Sequence, residues 1–121
     1  MNSDKIKKKV RACLERNQLA EARTLITTVC KKVPSDADAW HLLGAINGML
    51  GLNEEAETCA RKVIKLLPGT VAAYNNLGSS LLAQKKLDDA ESVLETALKL
   101  NPSSTQTAPR QLSNSTKTAP K

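Results

Sequence analysis

Phenylalanine is missing from the 121 residues, and Trp40 and Tyr74 are the only large aromatics. A core drawn from the 40% apolar content is therefore aliphatic and rich in alanine, a composition that suits long helices. Nowhere do about 18 apolar residues run together, so no membrane span is expected. The basic opening MNSDKIKKKVRACLERN is not followed by the apolar stretch of about 7 to 15 residues that an export signal needs. These absences point to a soluble, cytoplasmic chain. His41 is the single histidine and has no second ligand at helical spacing. Cys13, Cys30 and Cys59 are odd in number and widely spaced, which fits neither a disulfide framework nor a zinc pattern. All three fall in apolar columns and read as small buried hydrophobes in a reducing compartment. No catalytic constellation, metal site or cofactor motif is visible, and an enzyme is not expected.

The net charge of +6 is distributed unevenly. Residues 1–36 carry +5, residues 37–104 carry −2, and residues 105–121 carry +3. Basic ends attract nucleic acid or anionic lipid, but no aromatic side chains are interleaved with these ones for base stacking. A solvated helix face with Ile6, Val10 and Leu14 turned inward explains the N-terminal charge better than a specific nucleic-acid or membrane site.

What the chain does contain is a repeat. AWHLLGAINGMLGLNEEA returns as AYNNLGSSLLAQKKLDDA, so that Trp40 becomes Tyr74, Gly44 becomes Gly78 and Ala56 becomes Ala90, each step being 34 residues. Pro34, Pro68 and Pro102 keep the same period. Within one unit, Trp40, Leu43, Ile46 and Leu50 recur at the spacing of one helix face, and Gly51 marks a stop. Ser35 with Asp38 is expected to cap the start of this helix. Asn53, Glu54 and Glu55 open a second helix whose apolar positions run from Ala56 to Leu67 before Pro68. Each unit is thus a helical hairpin. Gly44 and Ala56 have almost no side chain, which lets the two backbones approach closely while Trp40 fills the space beside them. A first unit keeps the second-helix columns through Ala22, Leu25, Ile26 and Val29, but its first helix is degenerate, with Ile6 for the aromatic, Lys9 for the leucine and Val10 for the glycine.

On these residues the chain resembles the tetratricopeptide repeat family, whose pattern of Trp, Leu-Gly, Tyr, Ala and Pro over about 34 residues is most complete in the second and third units. Asn47, Ala60 and Leu94 depart from it, at positions the family usually fills with bulky or aromatic side chains. The resemblance implies an all-α, right-handed α-solenoid of three antiparallel helix hairpins, spanning residues 3–36, 37–70 and 71–104 of a domain over residues 1–104. It also implies a module that binds a peptide or protein partner on a concave wall made by the first helix of each pair. Carried onto this chain, that wall presents Lys7, Arg11, Asp38, His41, Ala45, Met49, Asn75, Asn76, Ser79 and Ala83. Asn75 and Asn76 carry amides that both donate to and accept from a peptide backbone. Asn76 matches a family position that often does so, solvation of the helix surface being the alternative for either residue. Some members clamp the C-terminal carboxylate of heat-shock chaperones with a Lys, two Asn, a Lys and an Arg. Lys7 matches the first, but Arg11, Leu42, Ala72 and Asn76 occupy the other places, so chaperone docking is not inferred. Lys7 and Arg11, one turn apart, suit an acidic group of some partner.

The expected role is an adaptor or scaffold. The alternatives are an N-terminal targeting domain of a larger enzyme such as a transferase, or a self-association module. Residues 105–121, rich in Ser, Thr, Pro and Gln, are expected to form a disordered tail or linker. No closing helix follows Pro102, which leaves Leu87, Val93, Leu94 and Leu98 as an uncovered strip. That strip motivates an expected homodimer with two-fold symmetry through the third unit.

Overall fold

The computed structural model describes residues 3–100, all of whose regular structure is helical. The helices are α1 (Ser3–Glu15), α2 (Leu19–Lys32), α3 (Ala37–Met49), α4 (Asn53–Leu66), α5 (Val71–Ala83) and α6 (Leu87–Leu100). The helices α1, α3 and α5 begin at Ser3, Ala37 and Val71, so the covalent period becomes a spatial one. Each helix packs on the next in sequence, and α3 also touches α5, so the pairs stack as a helical solenoid. Pro102 and the expected tail lie outside the described residues. Among the described residues no helix is long and apolar enough to cross a membrane.

The helix starts correct one sequence expectation. The N-cap of α3 is Asp36, not Ser35: the Ala39 amide donates to Asp36 Oδ1 at 3.1 Å. Helical backbone begins at Ala37, which puts Ser35 one residue too early to reach a free amide of the first turn. Asp38 lies inside that turn, where its charge suits the positive end of the helix dipole.

The turns inside the hairpins share one geometry. Asn17, Gly51 and Lys85 occupy the same repeat position with φ of 58°, 79° and 65°. The following amides close back onto the helix, Gln18 to the Cys13 carbonyl at 2.8 Å, Leu52 to Asn47 at 2.8 Å and Lys86 to Leu81 at 2.9 Å. Together with the bonds that the Asn17, Gly51 and Lys85 amides make to the carbonyls three residues before them, these make a Schellman termination at each hairpin. The left-handed position is free for Gly51, mildly costly for Asn17, and most costly for Lys85, whose Cβ crowds the backbone there.

Gly44 lies where α3 faces Cys59 and Ala56 of α4. A Cβ built on it would lie 3.1 Å from the Cβ of Cys59 and 3.8 Å from the Ala56 carbonyl oxygen, so α3 and α4 meet almost backbone to backbone. At Gly78 a Cβ would run into Leu94, whose Cγ would be 2.6 Å away. Leu94, at the family's bulky position, is therefore half-buried across α5 and is not part of a bare strip. Ala90 is completely buried beside it. In the first repeat Val10 takes the glycine column and is fully buried, so the degenerate helix still packs through Ile6, Val10 and Cys13. Trp40 is only half-buried: its ring packs on the core while its Nε1 donates to the Pro34 carbonyl at 2.8 Å. Tyr74, in the same column, is also half-buried.

All three cysteines are buried and free. Burial, with repulsion from Cys59 and Asp36, pushes the Cys30 thiol up to about 12, and burial pushes Cys59 up to about 11. Neither forms a nucleophilic thiolate near neutral pH. Alkylation by iodoacetamide at pH 8 should be slow in the folded chain and fast in urea; rapid native modification of Cys30 or Cys59 would contradict this packing.

The backbone positions make a second expectation. Gly44→Leu and Gly78→Leu should each cost about 1 to 3 kcal/mol by overpacking. Lys85→Gly should add about 1 kcal/mol by relieving the left-handed backbone. Urea unfolding measures all three, and stabilisation by either leucine would refute the close approach of the helices.

Candidate partner-binding groove

Between α3 and α5, over one face of α4, runs a groove of about 460 Å³. Its walls are Trp40, His41, Ala45, Gly48 and Met49 on α3, and Asn76, Ser79 and Ser80 on α5. The floor is Gly44 with Asn53, Ala56, Ala60 and Val63 of α4, apolar except for Asn53. Most of these side chains are small because the helices beneath them approach closely, so the packing of the hairpins leaves the space above it open. Gly48 illustrates this: a Cβ there would meet nothing within 4 Å. The surface combines a mostly apolar floor with a few convergent polar groups.

Among the residues expected to bind a partner, His41, Asn76 and Ser79 line this groove, and Asn76 and Ser79 are exposed. His41 also borders a shallower recess formed with Val63, Leu67, Thr70 and Ala72. Asn75 is half-buried and not among the lining residues. Lys7 and Arg11 lie elsewhere, against the start of α3. Lys7 Nζ is 2.8 Å from Asp36 Oδ2 and 3.2 Å from Asp38 Oδ2, with its side chain only 12% exposed. Arg11 stays half-exposed, 3.9 Å from the same Asp38 carboxylate. The acidic group expected from a partner is thus supplied by the chain itself.

The electrostatics follow from that arrangement. The Lys7 amine is held above its ordinary value chiefly by its hydrogen bond to Asp36, against a smaller opposing effect of burial. For Asp36, burial alone would raise the carboxyl, but the Lys7 hydrogen bond and the Ala39 amide together outweigh it and hold the group below 3.8. Lys7 thereby ties α1 to the capping residue of α3.

Other polar contacts were not visible in the sequence. Asn47, 1% exposed, accepts a 2.6 Å hydrogen bond from Arg23 Nε, and its Nδ2 lies 3.6 Å from Cys59 Sγ. One repeat later, Glu57 occupies the column of Arg23; it accepts from Gln84 at 2.8 Å and pairs with Lys86 at 3.4 Å and Arg61 at 2.9 Å. Gln84 and these cations hold the Glu57 carboxyl low. The available signal was the shared column of residues 23 and 57, and the polar Asn47 in a column otherwise filled by Cys13 and Leu81. Lys62 stands 5.7 Å from the centroid of the Trp40 ring, a cation–π distance at the groove's edge.

Fold and repeat columns together define an α-helical repeat protein. The tetratricopeptide repeat models match residues 37–69 and 71–104, and the chain belongs to the tetratricopeptide repeat family. Its fold is similar to that of the Arabidopsis OM64 TPR domain, with a TM-score of 0.78, 23% identity and 83% of each chain covered. It is also similar to the first TPR of Spaghetti (RPAP3) bound to the HSP90 peptide SRMEEVD, with a TM-score of 0.79, 19% identity, and 95% of this chain and 87% of that one covered. For MamA the TM-score is 0.80 at 19% identity, this chain spanning 61% of that one. No curated protein matches by sequence.

Acid should expose the role of Asp36. A carboxyl held low in the folded state contributes stability above its unfolded value near 3.8, and that contribution is lost as the pH falls through the folded value. Asp36→Asn keeps a side chain able to cap α3 but removes the ion pair. The variant should therefore be less stable than the parent at pH 7, with the gap closing below about pH 3.8 in thermal melts; a constant gap across that range would assign the loss to the cap.

Proposed function

We propose that the chain is an adaptor or scaffold module that holds a peptide segment of a protein partner in the groove between α3 and α5. The observation that carries this reading is the groove's composition: small and mostly apolar below, with His41, Asn76 and Ser79 at the rim. A bulky apolar side chain of the peptide fills the space over Gly44, Ala56 and Ala60, where burial is worth about 25 cal/mol per Å² of apolar surface. Asn76 then bonds the peptide backbone independently of its sequence. The structural neighbour RPAP3 is bound to the HSP90 peptide SRMEEVD, which ends in an acid-rich segment. Here Lys7, the one residue that matches the family's carboxylate clamp, is already engaged by Asp36 and Asp38, which argues for apolar rather than carboxylate recognition.

Gly48→Leu provides the test, because it intrudes on the groove from a position where a new side chain meets no neighbour. Peptides selected from a random displayed library on the parent chain should bind this variant at least about tenfold more weakly, a loss of about 1.4 kcal/mol. Asn76→Ala should also weaken them, while circular dichroism stays unchanged. Trp40, the single tryptophan, reports occupancy through its fluorescence. Peptides that bind Gly48→Leu and Asn76→Ala as tightly as the parent would place the site elsewhere.

A further inference from the structure

The third repeat ends on a face that the second repeat keeps covered. In the interior, α5 closes over α4: Leu77 and Leu81 cluster with Ala60 and Ile64, and Gln84 and Lys86 reach Glu57. One period further on, Ala60 becomes Leu94, Ile64 becomes Leu98 and Glu57 becomes Glu91. Among the described residues nothing covers this end of α6, where Leu87 is 61% and Leu98 47% exposed. Glu91 is exposed as well, although its counterpart Glu57 is the acceptor that joins two repeats.

The other end of the array carries the matching surface. Two periods back from Gln84 and Lys86 stand Arg16 and Gln18, both exposed, and Lys9 takes the place of Leu77. Around Lys9, Cys13, Arg16 and Gln18, with Glu21 and Leu25 of α2 on its other side, lies a shallow recess of about 380 Å³, on the face of α1 that corresponds to the covered face of α5. Charge completes the match. Of the α1 cations, Lys7 and Arg11 are taken up by Asp36 and Asp38, but Lys5, Lys8 and Lys9 are exposed, as is Arg16, whereas α6 carries Asp88, Asp89, Glu91 and Glu95 against Lys99.

We propose that copies of this chain associate head to tail, the α6 end of one against the α1 face of the next, in the register that α4 and α5 already use. Arg16 of the next copy donates to Glu91, as Gln84 donates to Glu57, and Leu98 enters the recess beside Lys9. The two-fold pairing expected from the apolar strip is disfavoured, because it sets the acids of one α6 against those of another, and Leu94 is already folded over Gly78. A head-to-tail contact leaves one free end of each kind, so assemblies lengthen with concentration and do not stop at a dimer. The acidic and basic faces make the contact sensitive to salt. This surface is separate from the groove and stands whether or not the groove binds peptide.

Sedimentation velocity on the full chain tests the inference. The parent should show a sedimentation coefficient that rises with concentration at low salt and falls back in high salt. Glu91→Arg and Arg16→Glu, both at exposed positions, should each remain monomeric, since every junction then faces like charges. An equimolar mixture of the two should associate again, because the introduced arginine meets the introduced glutamate at one junction and the natural pair of Glu91 with Arg16 re-forms at the other. A parent that stays monomeric at about millimolar concentration overturns the proposal. So does an Arg16→Glu variant that associates as the parent does, which would return the contact to α6 alone, or a mixture that fails to recover.

Discussion

Everything in this molecule depends on how closely two helices of a hairpin can approach. At Gly44 the approach is limited by the Cβ of Cys59 and the backbone of Ala56, and at Gly78 by Leu94. Those contacts fix the distance between first and second helices, hence the tilt at which the next repeat must stack. They also decide where a groove can exist. In the second repeat the column is glycine and its partners are alanine or cysteine, so the space above them stays open. In the first repeat the same column holds Val10, which fills its site completely, and the lining residues of the groove accordingly come from the second and third repeats alone.

The hairpins and their turns were legible in the sequence because each helix packs on its neighbours along the chain. Contacts between neighbours recur with the repeat, so one side-chain column encodes one interface. The left-handed turn position was readable at Gly51 but not at Asn17 or Lys85, where residue identity does not reveal the backbone. Polar contacts were harder still. Lys7 looked like a free cation facing a partner, yet a flexible four-carbon stem lets it reach Asp36, 29 positions further along the chain. Periodicity tells that two residues share a column; it does not tell which long side chain will bridge from it. The same limit moved the α3 cap from Ser35 to Asp36, since a one-residue shift in the helix start changes which oxygen meets the first free amide.

The two interior junctions are built alike in packing and differently in polarity. Arg23 meets buried Asn47 at the first, and Glu57 meets Gln84 and Lys86 at the second. A sliding of one repeat past the next would leave Asn47 buried without its donor, an error more costly than the bond itself is favourable. These pairs therefore set the register of stacking, while the aliphatic columns supply the cohesion. Because Arg23 and Glu57 have opposite charge, the repeats are not interchangeable despite their common backbone.

The buried aliphatic residues fall into two clusters, and they are unequal. One joins the first two repeats through Ile6, Val10, Ile26, Val29, Leu43 and Ile46; the other, gathered around Leu77, Leu81 and Ala90, fastens the third repeat through Ala60. Opening the terminal hairpin breaks the smaller cluster and the bonds from Gln84 and Lys86 to Glu57, so amide hydrogens of α5 and α6 should exchange through a partial unfolding that spares α1 to α3. One wall of the groove belongs to that less secure hairpin. A peptide that bridged α3 and α5, as proposed, would suppress the breathing of the last repeat, and its affinity would contain the free energy of that ordering. Mutations on the far side of α6, remote from any peptide, would then tune binding by changing how often the wall is in place.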